Sequence, residues 1–78
     1  MNIYAKSGDQ VVFLYPDNGY SYDERNAKKH LKVGQVYTVD RTEVGGSHTD
    51  VYLQEIPSVA FNSVHFEDYI ENPLLPAA

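Results

Sequence analysis

Gly45-Gly46-Ser47-His48-Thr49-Asp50-Val51-Tyr52-Leu53 is the stretch whose reading decides the fold. A glycine pair is followed by small polar groups and then by an apolar alternation. That is the pattern of a turn feeding a half-buried strand. Val51 and Leu53 fall on one face of the strand, Tyr52 and Gln54 on the other, because successive strand side chains alternate. The stretch lies inside a longer segment, Leu31 to Phe66, that carries most of the β pattern. Upstream, Val36-Tyr37-Thr38-Val39-Asp40-Arg41 is the clearest strand, with Tyr37 and Val39 on one face and Val36, Thr38 and Asp40 on the other. Val33-Gly34-Gln35 is the turn that precedes it. Downstream, Pro57-Ser58 is expected to break the strand. Ala60 to Phe66 then reads as a last strand, or a strand plus a turn, carrying Phe61, Val64 and Phe66.

The first third prepares for this. Asp9 to Tyr15, with the run Val11-Val12-Phe13-Leu14-Tyr15, has the β-branched and aromatic content of a strand. Pro16-Asp17-Asn18-Gly19 stops it in an open loop. Ser21-Tyr22-Asp23-Glu24 fits a capping box, in which the Ser21 hydroxyl takes the Glu24 amide and Glu24 reaches back. Acids at the start and cations at the end of Ser21–Leu31 suit a helix dipole. The apolar face is thin, so a helix of about two turns packed on the sheet is expected. The end of the chain, Glu71-Asn72-Pro73-Leu74-Leu75-Pro76-Ala77-Ala78, has two prolines and no period. It reads as an extended tail whose Leu74-Leu75 pair is able to dock on a groove or a neighbouring subunit.

Seventy-eight residues make one small domain. With no cysteine there is no disulfide and no thiolate site. No run is apolar enough to span a bilayer and the start lacks an export signal, so the expected location is a reducing cytoplasm, with no membrane partner. A formal charge of −5 argues against general nucleic-acid binding, which needs a dense basic surface. The charge is uneven, however. Arg25, Lys28, Lys29 and Lys32 lie close together, while Asp40, Glu43, Asp50, Glu55, Glu67, Asp68 and Glu71 follow with only Arg41 against them. Seven tyrosines and no tryptophan offer rigid, amphipathic area, suited either to a half-buried core or to a binding surface.

Strand, long connection with a helix, strand, turn, strand, turn, strand: that order predicts a mainly β protein. It resembles a small Src-homology-3-like barrel of four to five strands with one short helix in the first long connection. Residues 1–70 would form the domain and 71–78 the tail. Lys6 to Phe13 resembles the opening strand of such barrels, and Leu31-Lys32-Val33-Gly34-Gln35-Val36-Tyr37-Thr38-Val39 the second. An oligonucleotide-binding barrel normally needs longer strands. The segments Leu31–Val39, Ser47–Leu53 and Phe61-Asn62-Ser63-Val64-His65-Phe66-Glu67 resemble a family of small, mostly uncharacterised proteins of bacteriophages and prophages, over about half the chain. The resemblance implies a phage accessory protein, of the kind that binds and neutralises a host factor.

Ser47, His48 and Thr49 read as a ligand-binding corner, where turn amides, hydroxyls and an imidazole would meet a phosphate or carboxylate. They read equally as a turn whose side chains satisfy local backbone. Asn62 and Ser63 pose the same choice. His48 with Asp50, and His65 with Glu67, each share a strand face by alternation, but a third spaced ligand is missing and no metal is expected. There is no phosphate loop and no nucleophile elbow, so the chain reads as a non-catalytic binder without a cofactor. Two ligands fit. A small nucleotide signal would stack on Tyr20, Tyr22 or Tyr52 and place phosphates on Lys28, Lys29 and His48. Alternatively, the acidic face would dock on a basic host protein. A structural accessory role is the third reading. Pairing with further copies, as a homo-oligomer, is one route by which so small a chain gains a pocket.

Overall fold

A computed structural model describes residues 1–69. Its elements are β1 (Gln10–Phe13), α1 (Ser21–His30), β2 (Val36–Val44), β3 (Thr49–Leu53), β4 (Ile56–Asn62), a 3-10 turn (Ser63–His65) and β5 (Phe66–Asp68). The five strands form one antiparallel sheet in the order β4-β3-β2-β1-β5. The fold is mainly β with a single short helix in the first long connection, as the pattern predicts. The sheet is open: among the described residues no ladder joins β4 to β5.

Strand β2 holds the two halves together. Val36 to Thr38 pair with β1, while Val39 and Arg41 to Val44 pair with β3, and the β2–β3 register slips between Val39 and Arg41. Such an irregularity bends a strand and increases its twist. The alternation forecast from sequence then fills the space inside. Val11, Phe13, Tyr37, Val39, Val51, Leu53, Phe61 and Phe66 are buried, and Ala27 and Leu31 of the helix connection join them. Asn26 Nδ2 donates to the Ala60 carbonyl at 2.9 Å, tying α1 to β4.

Two turns depend on glycine. Gly34, at φ +87°, turns the chain into β2 and donates its amide to the Phe13 carbonyl at 2.7 Å. At Gly45 the constraint is space, since a Cβ there would lie 2.8 Å from the His48 carbonyl oxygen that its own amide contacts.

Several details differ from the sequence reading. Strand β1 ends at Phe13 rather than Tyr15, because the Leu14 and Tyr15 amides both donate to the His65 carbonyl. The helix N-cap is Tyr20, not Ser21, and the carboxylate that reaches back is Asp23, accepting the Tyr20 amide at 2.9 Å. Glu24 instead pairs with Lys28, four residues on. Pro57-Ser58 does not break a strand. The turn falls at Gln54-Glu55, where the Glu55 carboxylate accepts the Thr38 amide, and Pro57 lies within edge strand β4. An edge position has no ladder partner on its outer side, so the missing amide is tolerated there.

The expected last strand, Ala60 to Phe66, is split. Asn62 Oδ1 accepts the Val64 amide at 3.2 Å and starts the 3-10 turn. The turn reverses the alternation, so Val64 is exposed and His65 is buried. His65 and Glu67 therefore do not share a face: Glu67 is exposed and bonds the Tyr15 hydroxyl. The tail expected at residues 71–78 lies outside the described residues.

Candidate functional site

The hairpin joining β2 and β3 carries the predicted corner. His48 follows the tight Gly45-Gly46 turn and shares the outward face of β3 with Asp50, two residues on. Its Nε2 lies 3.0 Å from Asp50 Oδ1, and its Nδ1 lies 3.4 Å from Ser47 Oγ. A carboxylate only accepts, so Nε2 carries the proton and Nδ1 is left to accept from the hydroxyl. The order hydroxyl, imidazole, carboxylate is that of a nucleophile relay. Here it joins near neighbours on an exposed turn, and 3.4 Å is long for an O–H donor. Thr49 points the other way: it is buried in phase with Val51 and Leu53. Asp50 and Glu43, opposite each other across the hairpin, put two carboxylates beside this corner, and farther along β2 Arg41 is held by Asp40 and Glu43 at 3.3 and 3.5 Å. An anionic ligand would meet repulsion there.

Tyr52 is likewise occupied. The Arg41 guanidinium sits 3.9 Å from its ring centroid, a cation–π contact that covers one face. Asn62 and Ser63 are buried, and Asn62 is bonded at both ends of its amide: Nδ2 donates to Asp23 Oδ2 at 3.2 Å while Oδ1 caps the 3-10 turn. Lys28 is held at 2.7 Å by Glu24 and at 3.5 Å by Asp17. The Glu24 bond raises its pKa, with Coulombic attraction to Glu24 adding to it.

The remaining predicted residues come together on α1. Tyr20 and Tyr22 stack with centroids 5.7 Å apart and planes within 7°. Both are exposed. Tyr22, Arg25 and Lys29 are spaced three and four apart, so they run along one helix face. At 3.6 residues per turn that face lies opposite the buried Ala27, and all three side chains are exposed. Among the described residues neither Arg25 nor Lys29 has a carboxylate partner within 4.0 Å. On an acidic chain, this is a local cationic stripe beside an aromatic platform. Arg25 was absent from the residues picked out by sequence as ligand contacts; the 22-25-29 spacing carried the signal.

No grouping of three or more His, Cys, Asp or Glu side chains suited to a metal occurs among the described residues. An open pocket of about 190 Å³ lies elsewhere, lined by Asn2, Asp9, Gln10, Asp68 and Tyr69. Its carboxylates are already engaged, since Asp9 accepts the Lys6 amide and Asp68 the Asn2 amide. No helix among the described residues is long and apolar enough to cross a membrane.

A family model described as bacteriophage T4 protein Y07B matches residues 2–74. The chain belongs to this family. Membership bears out the resemblance to small phage proteins and extends it from about half the chain to nearly all of it. It brings no ligand or partner with it. No curated protein and no solved structure matches the chain significantly.

Proposed function

We propose that this phage protein is a non-catalytic binder that neutralises a host defence or regulatory factor by sequestering a small nucleotide signal. The observation that carries the reading is the face of α1, where Tyr22, Arg25 and Lys29 are aligned and exposed and Tyr20 stacks behind Tyr22. Tyrosine offers a π-face that any base can stack upon. Arginine offers a planar fork and lysine a compact charge for phosphate oxygens. The hairpin corner, with Asp50 on His48 and Glu43 across from it, is the less favourable place for the same ligand. The strand order, the helix between β1 and β2 and the 3-10 turn before β5 support a Src-homology-3-like barrel as the scaffold. Action in the host cytoplasm follows from the role.

The test is a thermal-shift panel of cyclic and ADP-ribose-type nucleotides. A ligand that binds only the folded state, at about 100 times its dissociation constant, adds about 2.7 kcal/mol and moves the midpoint by roughly 15 °C in so small a domain. The expected outcome is such a shift for at least one nucleotide, abolished by R25E/K29E and weakened by Y22A. No shift across the panel overturns the reading.

A second reading, an acidic inhibitor docking on a basic host protein, draws on the net charge of −5. Asp40, Glu43, Glu55, Glu67 and Asp68 would form its face. Each of these is already bonded within the molecule, which favours the nucleotide reading.

A further inference from the structure

The loop between β1 and α1 holds the pair Asn18-Gly19, where an asparagine precedes a residue without a side chain. An asparagine carboxamide is labile when the next backbone nitrogen reaches it, and a following side chain hinders that approach. The five asparagines differ in this respect. Asn2 precedes the β-branched Ile3, and its Oδ1 accepts the Tyr4 amide at 2.9 Å. Asn26 lies inside α1, where the helix fixes the backbone, and its Nδ2 is tied to the Ala60 carbonyl. Asn62 is buried and bonded at both ends of its amide. Asn72 precedes Pro73, whose nitrogen carries no proton.

Asn18 and Gly19 are both exposed and lie outside every strand and helix. No carbonyl among the described residues accepts the Gly19 amide, so its nitrogen is free to turn toward the carboxamide. Asn18 Nδ2 donates to the Val64 carbonyl at 3.1 Å. That bond lies on the surface, where local opening is easy.

We infer that Asn18-Gly19 is a self-modifying site, at which the backbone closes on the side chain, ammonia leaves, and water opens the ring to aspartate or isoaspartate. The Gly19 nitrogen gives its electron pair to Asn18 Cγ as its proton passes to solvent. The Cγ–Nδ2 bond breaks, and the departing nitrogen takes a proton from water and leaves as ammonia. Water then cleaves one of the two carbonyl–nitrogen bonds of the succinimide. Cleavage at Cγ restores the backbone and leaves aspartate. Cleavage at the Asn18 carbonyl carbon leaves isoaspartate, with the chain running through the former side chain. Water is the sole co-reactant, and nothing is oxidised or reduced.

Either product unlatches the loop from the 3-10 turn. A carboxylate has no proton for the Val64 carbonyl, so two acceptors face each other. Isoaspartate also lengthens the backbone just before Gly19. There is little slack there, because Gly19 has φ +87° and Asp23 Oδ2 stands 3.0 Å from the place of its Cβ. The added length draws the Tyr20 amide off Asp23 Oδ2, which it meets at 2.9 Å, and opens the helix cap. This goes beyond the nucleotide reading and does not rest on it.

Ageing of the full chain at neutral and mildly alkaline pH tests it. The readouts are peptide mapping by mass and labelling of isoaspartate by an isoaspartyl methyltransferase with a labelled methyl donor. The expected result is the small mass gain of a carboxamide turned to a carboxylate, appearing first in the peptide that holds Asn18 and faster at the higher pH. The methyl label falls on the same peptide. The converted chain and fresh N18D both melt about 4–8 °C below the unaltered chain, the shift that loss of one hydrogen bond gives a domain of this size. A folded chain that keeps its mass while a synthetic peptide of residues 14–24 converts overturns the inference, since the fold then shields the pair. So does conversion that begins at another asparagine, or a converted chain whose midpoint has not moved.

Discussion

Two histidines show how little residue type alone decides. His65 is completely buried, packed edge-on to Phe13 with centroids 5.8 Å apart. Its Nδ1 donates to the Tyr15 carbonyl at 2.8 Å, and its Nε2 has no partner among the described residues. His48 is one-third exposed and engages Asp50 on the surface. H65A leaves a cavity and removes the shorter of the two bonds to the Tyr15 carbonyl, which keeps the Asn18 amide, so a loss of about 2–4 kcal/mol is expected in chemical denaturation. H48A should stay within about 0.5 kcal/mol. A large loss at H48A would make the corner a structural turn. Tyr15 supplies a pH test. Its hydroxyl donates to Glu67 at 2.7 Å, and that bond, followed by desolvation, raises its pKa above 10.0. The folded state then holds the proton longer than the unfolded chain. The contribution is fully present below pH 10 and is lost as pH rises through the raised value. The stability difference between the unaltered chain and Y15F should therefore shrink above pH 10, and growth of that difference would reverse the sign of the coupling.

At the level of elements, the strands were legible because alternation reports burial directly. Val11, Phe13, Tyr37, Val39, Val51, Leu53 and Phe61 all face the core as the period requires. What was not legible was the 3-10 turn. Asn62 reads as a strand or loop residue until its side chain is seen capping Val64 and bonding Asp23 across to α1. That single residue turns Val64 out and His65 in. N62A should lower stability by about 1–2 kcal/mol through loss of the cap and the cross-link. G45A should cost about 1–3 kcal/mol, because the 2.8 Å approach of the His48 carbonyl must open. Equal stability of G45A and G46A would refute that, since Gly46 has open space around it. The helix start was misplaced by one residue for a related reason. Two acids stand side by side at Asp23 and Glu24, and only the geometry shows which one reaches back.

Taken as a whole molecule, the described residues form an open five-stranded sheet on an acidic chain, and many of its carboxylates are engaged by basic side chains, hydroxyls or backbone amides. The candidate contacts named from sequence do not converge on one site. Thr49, Asn62 and Ser63 are buried, Lys28 is paired, and Tyr52 lies under Arg41. Tyr20, Tyr22 and Lys29 do gather, and Arg25 completes them. Sequence spacing could not show this, because pairing of Lys28 and freedom of Lys29 depend on where Glu24 and Asp17 sit. The central claim is that ligand binding belongs to the outer face of α1. Titration of the 15N-labelled full chain with the nucleotide that gives the largest thermal shift, followed by amide chemical shifts, tests it most directly. The account predicts saturable shifts centred on Tyr20, Tyr22, Arg25 and Lys29, with Gly46 to Asp50 unmoved. Shifts centred on Gly46 to Asp50 instead, with the helix face silent, would contradict it.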